Sequence, residues 1–224
     1  MIAVFIQSLI LASGGIVSVG SITLVILLLI SDKGWLNGLG YMLGYTISYS
    51  LIGVTVVFVG FNASGNNSGE PSIVAPVLFI ILGSLLLWIT LRNWKKPINE
   101  TDSKTPSRLF TLVDKATPPK AFAFGAMVTV INFKNLAIFL SAVSVVHMSN
   151  LDLTYKIINV LLVALVFCLS VIIPVLIYVL FPKRSAELLN WIKVSLETHS
   201  RSIGIWLPLI FGTIFLIKGI TVLL

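Results

Sequence analysis

Acidic residues are scarce in this chain, and absent where it is most apolar. Of 224 residues, 10% are charged and 57% hydrophobic, and mean hydropathy is +1.06. Six long apolar stretches contain no Asp and no Glu. Proton-coupled pumps and divalent-cation carriers usually place an acid in the membrane, so this absence argues against both. Nothing calls for a metal or another cofactor. Cysteine is equally scarce: Cys168 stands alone, which excludes an internal disulfide and any two-thiol redox chemistry within one chain. It reads as a small apolar packing residue. No Walker A pattern occurs, so ATP hydrolysis would need a partner. The formal net charge of +7 is no nucleic-acid signature, because no basic face with interleaved aromatics exists outside the apolar stretches.

Those stretches, 2–30, 37–61, 73–91, 121–148, 156–181 and 203–224, are each long enough to cross a bilayer core, which takes about 20 residues as a helix. The fold class expected is all-α: a polytopic membrane protein of six transmembrane helices, with no room for a soluble enzyme domain. Basic residues sort by alternate loops. Lys33 is in the first, Lys183, Arg184, Lys193 and Arg201 are in the fifth, and the third holds seven from Arg92 to Lys120. The second loop has none and the fourth only Lys156. The positive-inside rule then puts loops one, three and five in the cytoplasm and both termini outside a plasma membrane. Met1 to Leu11 carries no positive charge and the apolar run continues to Ile30, so no cleaved signal peptide is expected. Sequons at Asn62 and Asn66 fall in the outer second loop.

The linker 92–120, with Pro97, Pro106, Pro118 and Pro119, divides the chain into three-helix halves, 1–91 and 121–224. Three is odd, so similar halves would lie upside down relative to each other, a common transporter plan. The first helix of each half is interrupted by small or polar residues, from Ser13 to Ser21 and from Thr129 to Asn135. Aligning Ser18 with Asn132 puts an apolar run after both, Ile22 to Ile30 and Leu136 to Val146. Both helices are expected to break there. Gly40, Gly44 and Ser48 recur every four residues, the spacing that lets helix backbones approach closely. Tyr41, Tyr45 and Tyr49 run beside them, as interhelical hydrogen-bonding groups or as the lining of a path. Pro174 should kink the fifth span, and Trp94 and Trp191 read as interfacial anchors.

The ionisable groups within the spans are Lys134, His147 and Lys218. Lys218 can snorkel to the surface and His147 sits at a span end. Lys134 is mid-span, where an unpaired ammonium costs at least about 2.5–3.5 kcal/mol. Lacking an intramembrane acid, it must meet carbonyls, water or an anion, or lose its proton. On a straight helix it would point about 200° from Asn132 and about 100° from Asn135. A broken helix could bring all three to one cavity. The candidate substrate-binding residues are Lys134, Asn132 and Asn135, with Ser18, Gly14 and Gly15 from the first break.

The run Asp114 to Phe122, followed by Asn132-Phe133-Lys134-Asn135-Leu136, resembles the GAP family (peptidoglycolipid- or sulfolipid-addressing proteins) of the LysE exporter superfamily. That family typically reads Asn-Pro-Lys-Asn-Leu here. The resemblance covers nearly the whole chain, but only the Asn-x-Lys-Asn core is specific. Phe133 stands at the usual proline position, and Val19 where the first half often has one. The resemblance implies an exporter or flippase moving a lipid-linked or glycolipid envelope precursor outward; Lys134 independently favours an anionic group on the substrate. Its partners would be membrane lipids, that anionic lipid-like or small-molecule substrate, and a second copy or a larger exporter. The alternative is an accessory protein for lipid synthesis or export that transports nothing itself.

Overall fold

The computed structural model describes residues 2–31, 34–65, 74–95 and 116–223, and all regular structure among them is helical. Helix α1 (Ile2–Ala12) runs through a 3-10 turn, Ser13–Gly15, toward α2 (Val19–Ile30). Two unbroken helices follow, α3 (Gly34–Gly65) and α4 (Val74–Lys95). Past the linker come α5 (Pro118–Ile131), α6 (Phe133–His147), α7 (Leu153–Phe167), α8 (Leu169–Leu180) and α9 (Ser185–Leu223). The start of α5 follows from its residues: Thr117 is extended, and Pro118 and Pro119 occupy the first turn, where a missing N–H costs nothing. Residues 96–115 of the linker, Lys33 and Asn66 lie outside the described residues, as do the side chains of Asn62 and Lys218.

Three helix pairs are sharply bent. Ile2–Gly15 meets Val19–Ile30 at 62°, Pro118–Ile131 meets Phe133–His147 at 75°, and Leu153–Phe167 meets Leu169–Leu180 at 60°. Both breaks expected from the polar interruptions are therefore present. Among the described residues one helix, over Gly34–Val59, is by itself long and apolar enough to cross a membrane, and each bent pair qualifies when counted as one span. The expectation for the fifth loop needs correction. Residues 185–202 are helical and continuous with the last apolar stretch, which by itself covers Ile205–Thr221. Their sequence is polar enough to break the hydrophobic run, but between Ser185 and Ser202 it contains no Gly or Pro and is rich in good helix formers. Pro208 sits inside α9 without ending it.

Close helix approaches hold the fold. A Cβ added at Gly40 or Gly44 of α3 would strike the backbone of Pro118 or Phe122 on α5, and one at Gly125 would strike the backbone of Tyr41. The four-residue spacing is thus a packing seam. Gly83 of α4 and Gly212 of α9 approach in the same way. Tyr41, Tyr45 and Tyr49 are fully buried, and their rings pack against Phe124, Phe139 and Phe167. Outside, large apolar side chains such as Ile6, Leu51, Trp88, Leu161 and Val179 stand exposed. A surface of that kind suits hydrocarbon rather than water.

Candidate functional site

The two polar breaks are built alike. Ser18 (φ −92°, ψ 86°) and Asn132 (φ −83°, ψ 72°) have left the helical region and cap α2 and α6. Each cap carbonyl accepts the first intrahelical bond, from Ile22 N at 2.9 Å and from Leu136 N at 3.0 Å. Each cap side chain also engages the third residue of its helix. Asn135 N donates to Asn132 Oδ1 at 3.4 Å, and Ser18 Oγ donates to Ser21 Oγ at 3.1 Å. The alignment of Ser18 with Asn132 therefore matches cap to cap and Ser21 to Asn135.

The breaks then join each other. Asn135 Nδ2 donates to Ser18 Oγ at 2.5 Å and to Tyr45 OH at 3.4 Å, while Ser21 Oγ donates to Tyr45 OH at 3.3 Å. A chain of donors runs from α6 through both ends of the first turn of α2 to α3. All four side chains are buried. The N-termini of two half-helices consequently converge on one buried polar cluster. Helix N-termini present free N–H groups and the positive end of the peptide dipoles, and so favour anions.

Lys134 is the second residue of α6. It is partly buried, and the residues one turn along its face, Ala137 and Ile138, are buried. Among the described residues no carboxylate or carbonyl lies within bonding reach of its ammonium. A cation in the first helical turn also opposes the helix dipole. Two sources of positive potential thus coincide at this break, and no acidic side chain among the described residues offsets them.

The other sequence candidates fall into place differently. Asn132 shapes the break as a cap, and Asn135 is the link between the broken helices. Gly14 and Gly15 do not line open space: Phe211 and Ile138 cover the first, and the Phe167 ring covers the second. Their missing side chains let the 3-10 turn sit on neighbouring helices. Tyr45, read as an interhelical hydrogen-bonding group, takes that role in the cluster, whereas the hydroxyls of Tyr41 and Tyr49 have no partner among the described residues. Ser21 also belongs to the cluster, and sequence reasoning did not place it there. The register Ser18–Asn132 carried the signal for Ser21, which pairs with Asn135.

Two further differences concern the second half. The bend in the fifth apolar stretch falls at Cys168, six residues before Pro174. Pro174 cannot donate to the Ser170 carbonyl and its ring crowds it, so distortion spreads toward the N-terminal side. Lys156, expected as a loop residue, is buried on α7 and donates from Nζ to His147 O at 2.7 Å. It satisfies a carbonyl at the C-terminus of α6, where a cation also suits the dipole. Among the described residues no group of His, Cys, Asp and Glu could hold a metal ion.

An apolar exterior, helices broken around a buried polar cluster, and a cation without an acidic partner among the described residues at one break define an all-helical membrane protein of the broken-helix kind. The chain belongs to the family of Sap, the sulfolipid-1-addressing protein, which matches residues 9–221. The resemblance carried by the Asn-x-Lys-Asn core is thereby confirmed. No curated protein and no solved structure matches the chain.

Proposed function

We propose that this protein is a membrane transporter of the LysE-superfamily type that moves an anionic lipid or glycolipid envelope precursor toward the outer face of the membrane. The observation that carries this reading is Lys134, an ammonium with no acidic partner among the described residues, in the first turn of a half-helix at a break joined to a second half-helix N-terminus. An anionic head group, sulfate or phosphate, is the counter-charge that such a site lacks. Asn132 and Asn135 contribute neutral hydrogen bonds that orient the head group. The name of the family points to a sulfolipid, whose sulfate has that character.

The architecture proposed is six spans in two inverted halves, with both termini outside. Contacts between elements support the two related halves. Helix α3 packs on α5 as α7 packs on α1, α3 on α6 as α8 on α2, and α4 on α9. These are the pairings that a two-fold axis relating the halves would produce. Rocking of one half against the other about the joined breaks would alternate access to the site. The accessory reading, in which the protein helps a synthase or larger exporter, predicts no lipid movement by the purified chain.

Reconstitution in liposomes separates the two. With labelled lipid analogues, the transporter reading expects anionic head groups to cross leaflets faster than zwitterionic ones in a protein-dependent manner. Equal slow movement of both, matching empty liposomes, favours the accessory role.

A further inference from the structure

We propose that a groove between the first break, α8 and α9 holds one acyl chain of an anionic lipid, a binding site separate from the polar cluster but adjacent to it along the chain. The groove has a volume of about 250 Å³, and Val17, Ser170, Ile173, Pro174, Trp191 and Ile192 are among the residues that line it. That exceeds the roughly 150 Å³ of an apolar cavity that accepts benzene. It falls short of the roughly 300–1,000 Å³ that encloses a whole ligand. The size fits a segment of chain whose remainder lies elsewhere.

Four observations point to a lipid tail. The lining is almost wholly aliphatic and aromatic. Ile173 and Trp191 are 41% and 70% exposed, so the rim opens on the outward side of α8 and α9, where the apolar α8 meets the more polar start of α9. Ser170 lines the groove, is 2% exposed, and its hydroxyl has no partner among the described residues. An ester carbonyl near the head of an acyl chain would accept its hydrogen bond. Finally, Lys183 and Arg184 stand exposed in the turn before α9, a charge complementary to anionic lipids of the facing leaflet.

The groove adjoins the polar cluster along the chain. Val17 lines the groove, and Ser18, the next residue, receives the Asn135 hydrogen bond. Consecutive Cα atoms lie about 3.8 Å apart. A lipid whose head group reaches the joined breaks can leave a tail in the groove. The assignment rests on the reading that this protein handles an anionic lipid.

Photo-cross-linking tests it. The full chain in nanodiscs receives a trace of phosphatidylglycerol carrying a diazirine midway along one acyl chain, or the matching phosphatidylcholine. Peptide mapping after irradiation should place label on 169–174 and 191–195 at about tenfold the level on the lipid-facing α7 segment holding Leu161 and Leu165. Phosphatidylglycerol should label more than phosphatidylcholine. Ile173→Trp fills the groove and should cut that label about tenfold, leaving the α7 label unchanged. If that variant melts early, Ser170→Leu carries the same test with a smaller intrusion. Even labelling of all lipid-facing helices, equal labelling by the two head groups, or cross-links from the groove to a second protein copy would overturn the proposal. Groove labelling without lipid transport by the unaltered chain would sink the transporter reading and leave the groove assignment standing.

Discussion

Asn135 does more at the residue scale than its neighbour Lys134 in holding the fold, and the two have opposite expected phenotypes. Its amide donates to Ser18 and Tyr45 within a buried cluster. Truncating it leaves the buried Ser18 hydroxyl without its donor and Tyr45 with only that of Ser21, which costs about 1–3 kcal/mol. Asn135→Ala is therefore expected to lower the melting temperature in detergent clearly, and a chain that melts at the original temperature would contradict the cluster's structural role. Lys156→Met is expected to destabilise for a related reason, since it uncovers the His147 carbonyl and removes a charge-assisted bond, worth about 1.5–3 kcal/mol. Its melting point decides. An unchanged value would show that the Lys156 to His147 bond adds nothing in the membrane.

Among helices, the two breaks explain a departure from the family pattern. Phe133 and Val19, where the pattern of the family resemblance has proline, are the first helical residues of α6 and α2. Proline is favoured at that position because its fixed φ suits the helix and its missing N–H is one the helix cannot use. The residues before them, Asn132 and Ser18, have already left the α region, as a following proline requires. Phe133 is also 69% exposed, so its ring anchors little. Phe133→Pro should keep both fold and transport and raise stability by up to about 1 kcal/mol. A collapse on introducing it would show that the break differs from the form described. Gly44→Leu makes the opposite test, because any side chain there meets the α5 backbone; its thermal melt should show severe destabilisation.

The legible and illegible parts of the fold divide along physical lines. Interruptions at Ser13 to Ser21 and at Thr129 to Asn135 were readable because small and polar residues stand out in an apolar run. The seam at Gly40 and Gly44 was readable from its period. The bend at Cys168 was only half readable: Pro174 announced distortion, but its place depends on how the preceding turn relaxes. The helical 185–202 segment was missed because polarity marks exposure to water, not loss of helix. Lys134 stood out by charge alone and Tyr45 by its stripe, whereas Ser21 is an ordinary residue whose role appears only when the helices meet. Gly14 and Gly15, read as candidate binding residues, proved to be covered by aromatic rings, a contact between distant segments that no local pattern encodes.

For the whole molecule, the sidedness proposed rests on the basic loops. With Cys168 replaced by Ala, a single cysteine at Asn150, between α6 and α7, should react with a membrane-impermeant maleimide from outside intact cells. One at Ser103 should react only after permeabilisation. The reverse pattern would invert the topology and, with it, the direction of transport proposed. The central claim is that Lys134 supplies the counter-charge for an anionic lipid head group, and it is tested most directly by leaflet-to-leaflet movement of a fluorescent sulfated lipid in proteoliposomes. Lys134→Met should abolish that movement while the melting temperature holds or rises, because removing an isolated buried charge relieves a cost of about 2.5–3.5 kcal/mol. Lys134→Arg should keep part of it, since the charge survives in a different shape. Normal transport by the Met variant, or loss of transport only through loss of folding, would contradict the account.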